Sequence, residues 1–265
     1  MKRLMCFVTL LGFMAASGAY AQIGTINSSV VTSHVFNDIP GATFTGVNSY
    51  NISLSEAGVS KPTAGGLERD IWRFSNNGST AYQLQSGDYF NASFNLKLTG
   101  SGTSGIDLEA GWLLSNPSGG IGGDLQSIVK SDGEVVQFGG PSYFGFSPAN
   151  SGTSVPNYTL GATYTMGLNY VIDPNTGRNA FQYSVNGVFA TSSPGDTYFD
   201  LAAGQSIGSA GDTLGGYFQI GNDPNNLNNN GTALFQNITI TAVPEPATFS
   251  HLGLGILALL YRRRS

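Results

Sequence analysis

Between residues 22 and 243 no segment keeps its apolar residues at a helical period, and that pattern decides what the chain can fold into. Period-two alternation and short apolar runs dominate instead, broken by Gly, Asn, Asp and Pro. Phe90–Leu98 is the clearest case. Phe90, Ala92, Phe94, Leu96 and Leu98 alternate with Asn91, Ser93, Asn95 and Lys97. In a strand these two sets point to opposite faces, one to a core and one to water. Ile106–Trp112 alternates in the same way, with Asp107 and Glu109 on the face opposite Leu108, Ala110 and Trp112. Further strands are predicted over 71–74, 128–130, 135–138, 164–172, 180–185, 188–191, 216–220 and 233–241.

Turns are legible between them. Asp173-Pro174-Asn175-Thr176-Gly177 separates two strands, and Asn186-Gly187 is the strongest short hairpin signal a sequence offers. Asp223–Gly231 is an Asn-rich loop. The 37 glycines and a charged fraction of only 10% fit many short strands joined by tight turns. About a dozen such strands, with no internal linker and no repeat, predict an all-β fold: a two-sheet antiparallel jelly-roll sandwich. A chain of this length buries roughly 70% of its unfolded surface and needs no covalent staple.

The two ends read as targeting segments. Residues 1–21 have a basic start (Lys2, Arg3), a short apolar run (Cys6–Ala16) and the small-x-small pattern Ala19-Tyr20-Ala21. This predicts a signal peptide cleaved between Ala21 and Gln22. Residues 22–243 form the folded domain. Residues 244–265 begin with Pro244-Glu245-Pro246, continue in an apolar stretch over 247–261, and end in Arg262-Arg263-Arg264-Ser265. The arginines belong on the cytoplasmic side, so the apolar stretch is predicted to be a transmembrane helix with the domain outside the cytoplasm.

This tail resembles the PEP-CTERM family of sorting signals, which combine a Pro-Glu-Pro motif, a hydrophobic helix and an arginine-rich end. The resemblance implies processing by an exosortase, a membrane transpeptidase of Gram-negative bacteria that make exopolysaccharide. Pro244, Glu245 and Pro246 would be its recognition residues. It also implies delivery to the cell envelope, the surface or the extracellular matrix, with the inner membrane as partner before processing. The strand order over residues 160–241 resembles the concanavalin A-like lectin/glucanase superfamily in its laminin G-like form.

The composition excludes several chemistries. The only cysteine is Cys6, inside the signal segment, so the domain has no disulfide, thiolate nucleophile or Cys-ligated metal. Its one histidine, His34, sits among Val31, Thr32 and Val35 and reads as an edge-strand residue; a Ser/His/Asp triad and a zinc site both lack partners. Six basic residues stand against fifteen acidic ones in 22–243, which disfavours nucleic acid.

Three sets of residues remain as candidates. Asp107 and Glu109, two apart on one strand face, are the best acid pair, with Cα atoms about 6.5–7 Å apart. Retaining glycosidases place two carboxyls about 5–5.5 Å apart. Laminarinase-type relatives carry Glu-x-Asp-x-x-Glu on such a strand, and Gly105–Glu109 lacks the first and last of those glutamates. Asp173, Asn175, Asp223 and Asn225 offer hard oxygen ligands on loops, which suit calcium, the one cofactor considered. Tyr143, Phe144 and Phe146, among Gly and Pro, read either as a buried strand or as a surface platform on which sugar rings could stack; Trp72 and Trp112 fall in apolar runs and read as core. The leading expectation is an exported, non-enzymatic protein that binds extracellular polysaccharide through a lectin-like sandwich. The alternatives are a secreted glycoside hydrolase or polysaccharide lyase of the same fold, and a purely structural envelope protein.

Overall fold

In the computed structural model the described residues are 23, 26–35, 43–45, 50–59, 67–101, 108–140, 144–147, 154–192, 195–208, 211–221 and 229–244. They contain fifteen strands. In chain order these are β1 (Ser28–Val35), β2 (Thr43–Thr45), β3 (Ile52–Val59), β4 (Leu67–Ser75), β5 (Phe90–Ser101), β6 (Leu108–Ser115), β7 (Leu125–Lys130) and β8 (Val135–Gly139). Beyond them lie β9 (Phe144–Gly145), β10 (Thr163–Ile172), β11 (Asn179–Val185), β12 (Val188–Phe189), β13 (Phe199–Asp200), β14 (Thr213–Gly221) and β15 (Asn229–Ala242).

They form two antiparallel sheets. The seven-stranded sheet runs β1-β4-β14-β6-β7-β8-β9. The eight-stranded sheet runs β12-β11-β10-β5-β15-β3-β2, with β13 alongside β11. The all-β sandwich expected from the alternation is the fold observed, and every strand named from the sequence has its counterpart. His34 lies on β1, at one edge of its sheet. The apolar tail, 247–261, and the segment Met1–Gln22 with its Ala21/Gln22 junction lie outside the described residues. Among those residues no helix is long and apolar enough to cross a membrane.

The core lies between the sheets and is centred on aromatic rings. Trp72 and Trp112, from the seven-stranded sheet, are fully buried. They meet Phe94 and Phe235 from the other sheet: Phe94 and Trp112 have ring centroids 4.1 Å apart, Phe94 and Phe235 5.1 Å, and Trp72 and Phe235 5.6 Å. Both tryptophans are therefore core, as expected. Each buried ring of this size removes on the order of 150–250 Å² from water, so this one cluster holds the two sheets together.

Turn chemistry fixes the strand registers. Asn186 and Gly187 have φ of 52° and 79°, the left-handed pair a two-residue hairpin needs, and they place Val185 opposite Val188. The outer face of the eight-stranded sheet is polar but almost uncharged. Across β3, β15, β5 and β10 it carries Ser, Thr, Asn and Gln with Lys97 as its only charge among the described residues. Cross-strand hydroxyl and amide pairs knit it, such as Ser93 with Thr239 at 2.8 Å, Ser55 with Thr232 at 2.9 Å and Thr165 with Asn95 at 2.8 Å.

Candidate functional site

The outer face of the seven-stranded sheet is the chemically rich one. Strand pairing sets its outward residues in three rows. One row is Arg69 on β4, Gln219 on β14, Glu109 on β6 and Lys130 on β7. The next is Ile71, Tyr217, Gly111, Ile128 and, on β8, Val136. The third is Arg73, Gly215, Leu113, Gln126 and Phe138. Ile71, Leu113, Ile128, Val136 and Tyr217 make a second, smaller apolar cluster on this face, with Phe138 packed against it.

The polar groups converge at Glu109 Oε1. Gln219 donates to it from Nε2 at 2.6 Å, and the Tyr217 hydroxyl at 3.0 Å. The phenol lies 3.2 Å from Gln126 Oε1 as well, so its single proton is shared between two acceptors. Arg69 donates from Nε to Gln219 Oε1 at 2.7 Å, and its guanidinium carbon lies 4.8 Å from the centre of the Tyr217 ring. A guanidinium at that distance is attracted by the ring face.

A small residue makes this geometry possible. Gly111 faces Tyr217 directly across the β14–β6 pair, and Glu109 and Gln126 flank it. A side chain on Gly111 would run into the backbone of Ser127 on β7. The glycine lets β6 and β7 approach, which keeps Glu109 and Gln126 within reach of the one phenol.

Burial sets the electrostatics. Tyr217 is fully buried, Gln219 nearly so, while Arg69, Glu109, Gln126 and Lys130 are half-buried. Burial first, and the Glu109 charge second, push the Tyr217 phenol well above its ordinary value, against the opposing charge of Arg69. The hydroxyl therefore keeps its proton at any biological pH. On the third row Arg73 is buried, donates to Ser115 Oγ at 2.6 Å and is lowered by that burial to about 10, so it remains a cation. Lys130 pairs with Glu134 at 2.8 Å. The site thus groups a protonated phenol, a carboxylate oriented by two donors, two amides and a guanidinium. Such a set can hold a carboxylated sugar and move protons to and from it.

Of the residues singled out from the sequence, Glu109 is in this cluster. Asp107 lies outside the described residues. Phe146 is fully buried and edge-on to Tyr183, with centroids 6.4 Å apart, so of the two readings of this segment its ring follows the buried one and is corrected as a sugar-stacking candidate. Its ring turns into the core instead of standing on a loop. Phe144 is on β9, and Tyr143 lies outside the described residues. Asp173 is buried, and its carboxylate accepts from the Asn175 amide at 2.7 Å and the Thr176 hydroxyl at 3.2 Å, the bonds of its own turn. Asn175 is exposed, and Asp223 and Asn225 lie outside the described residues. Among the described residues no three His, Cys, Asp or Glu side chains group around a common metal position.

Sequence reasoning missed Tyr217, Gln219, Arg69 and Gln126. The outward parity of Tyr217 and Gln219, alternating with buried Phe218 and Ile220, was the available signal. Their convergence on Glu109 spans sequence separations of 108 and 110 residues and comes only from strand order.

The PEP-CTERM protein-sorting motif matches residues 242–264. The chain carries this sorting signal and is an exported protein of the cell envelope or surface of a Gram-negative bacterium. No curated protein matches the sequence. Similar solved structures include family 7 alginate lyase A1-II′ in complex with product, 14% identical with TM-score 0.45, covering 85% of this chain and 100% of that one. They also include an alginate lyase from Pseudomonas aeruginosa, 12% identical with TM-score 0.44, covering 78% and 87% of the two chains. A third is the marine family 7 alginate lyase from Zobellia galactanivorans, 15% identical with TM-score 0.41, covering 84% of this chain and 100% of that one. These likenesses speak to the fold, and no residue role is taken from them. The expectation of a non-enzymatic protein runs against these comparisons, in which the similar structures are named as polysaccharide-cleaving enzymes.

Proposed function

We propose that this exported protein is a polysaccharide lyase that works on the outer face of its seven-stranded sheet and cleaves uronate-bearing chains. The observation that carries the reading is the convergence of the Tyr217 hydroxyl and the Gln219 amide on Glu109 Oε1, beside Arg69. Cleavage beside a uronate by β-elimination needs a cation and amides to hold the carboxylate, a base for the C5 proton, and an acid for the leaving oxygen. Arg69, Gln219 and Gln126 supply the first. Glu109 takes the proton from C5; the C5–H electrons form the C4=C5 double bond as the C4–O4 bond breaks. Tyr217, kept protonated by its burial, gives its proton to O4. The phenol then recovers a proton from Glu109 along their 3.0 Å contact, which closes the cycle.

Two further features support this. Arg69, Arg73 and Lys130, half of the six basic residues in 22–243, stand on these three rows, although the domain is acidic overall. An acidic protein that concentrates its cations on one face favours an anionic chain there. A lyase also needs only one carboxylate, and Glu109 is the one acid on the three rows among the described residues. Arg69 covers the Tyr217 ring, so the substrate carboxylate has to draw the guanidinium off it before the phenol can act.

The test is incubation of the purified full chain with polyuronates and, separately, with neutral glucans. The expected result is rising ultraviolet absorbance from the unsaturated product with a polyuronate only. New reducing ends without that absorbance would mean hydrolysis. No cleavage of any uronate polymer by a folded sample would overturn the reading.

A further inference from the structure

The sorting motif overlaps the fold. Its match begins at residue 242, yet Ala242 is still paired with Phe90 on β5, and the Val243 amide donates to the Tyr89 carbonyl at 2.9 Å. If the strand stays in place, only residues 244–246 separate the sandwich from the apolar stretch, a reach of at most about 10 Å. A membrane-bound processing enzyme would have to close around a motif whose first residue belongs to a β-sheet and whose second is hydrogen-bonded to the chain beside it.

The end of β15 is built unlike the rest of it. From Gly231 to Phe235 the strand is held on both sides, by β3 and by β5. The register with β5 then shifts between Gln236 and Thr239. Asn237 sits in this bulge with φ of 52°, a conformation that costs a non-glycine residue energy. Beyond the bulge, Thr239–Ala242 pair with β5 alone among the described residues. Thr239, Thr241 and Ala242 are exposed, whereas Ala233, Phe235 and Ile238 are buried. The fully buried anchors therefore end at Ile238; within the stretch after it Ile240, partly buried, still packs against the core, while Thr239, Thr241 and Ala242 face water.

We infer that residues 239–243 form a releasable arm, hinged at Asn237, that peels from β5 to present the sorting motif to its membrane-bound processing enzyme. Release of five residues lengthens the tether by about 17 Å and leaves both sheets intact up to Ile238. The inference rests on the motif being processed, and not on any polysaccharide activity.

A covalent staple tests it. Asn91 and Thr241 are exposed Cα partners, and no cysteine other than Cys6 would compete, so Asn91→Cys with Thr241→Cys closes a bridge across the arm. In the producing cell the bridged chain should accumulate unprocessed. Inserting about six Gly/Ser residues between Val243 and Pro244 of the bridged chain should restore processing. Processing of the bridged chain at the unmodified rate would overturn the arm. Amide exchange on the full chain decides the same point without the enzyme. Amides of 239–243 should exchange about a hundredfold faster than those of 231–235, and equal protection would sink the proposal. Should the unmodified chain never be shortened in the cell, the processing premise fails while the exchange result still judges the arm.

Discussion

The Tyr217 hydroxyl and Glu109 Oε1 stand 3.0 Å apart although 108 residues separate them in the chain. The phenol is buried and proton-bearing; the carboxylate is half-exposed. That asymmetry assigns their parts, and Tyr217→Phe separates them. It removes the proton donor and leaves Gln219 on Glu109. Turnover of a polyuronate should fall about a hundredfold or more, with KM changed little. Stability should drop by only about 1 kcal/mol, read as a denaturant midpoint.

Glu109→Gln keeps an oxygen that can accept from Tyr217 and Gln219 but cannot take up a proton. Cleavage should disappear while polyuronate binding, followed by calorimetry, survives. Loss of binding together with cleavage would mean that Glu109 organises the site without handling the proton.

Gly111→Ala sets a methyl group against the Ser127 backbone. Strand backbone cannot yield as a side-chain tip does, so the β6–β7 pair must shift. The expected cost is about 1–3 kcal/mol. Because Gly111 faces Tyr217, activity should fall by more than the loss of folded protein explains, in a circular dichroism melt run beside the assay.

Alkaline pH should destabilise the domain. Burial raises Tyr82, Tyr158, Tyr170 and Tyr217 above the ordinary tyrosine value of 10.0. In the unfolded chain these phenols ionise near 10.0, and in the folded one they do not. Their contribution is full below that pH and is lost as the pH climbs from there through the raised values of the folded state. Arg73 works the other way. Its burial costs stability while both states are charged, and that cost is relieved only above about 10. Four phenols outweigh one guanidinium. Urea midpoints should stay level up to about pH 9 and then decline; a midpoint that rises beyond about pH 10 would refute this balance.

Asp173→Ala removes both acceptors of its turn and should cost about 1–2 kcal/mol. Since the Asn175 amide and the Thr176 hydroxyl already occupy the carboxylate, the loss should be the same with calcium and with chelator. A loss seen only in calcium would put the ion in this loop.

The fold and the site differed in legibility because they depend on contacts of different range. Phe90–Leu98 was readable because it buries one face only, and the pleat turns that into alternation; from Leu108 to Trp112 only Glu109 escapes full burial, and its charge marks the outward parity. The Asn186-Gly187 hairpin was readable because φ above zero at two successive positions suits few residue types. β1 to β3 carried no such signal; Ser, Thr and Gly dilute their apolar residues. The site was readable only at Glu109. Its partners arrive through the order β4-β14-β6-β7, in which no two neighbours except β6 and β7 are adjacent in the chain.

The polar face of the eight-stranded sheet has a consequence for the protein's life outside the cell. Across β3, β15, β5 and β10 most outward side chains offer hydroxyls and carboxamides, with Leu234 and Val171 among them, and among the described residues Lys97 alone is charged. Such a surface neither gathers counterions nor changes charge as its surroundings acidify. Its adhesion to whatever lies beside it should be indifferent to ionic strength and to acidity. The opposite face, with its arginines and its glutamate, would respond to both. The molecule therefore has one side that answers to the charge of its medium and one that does not.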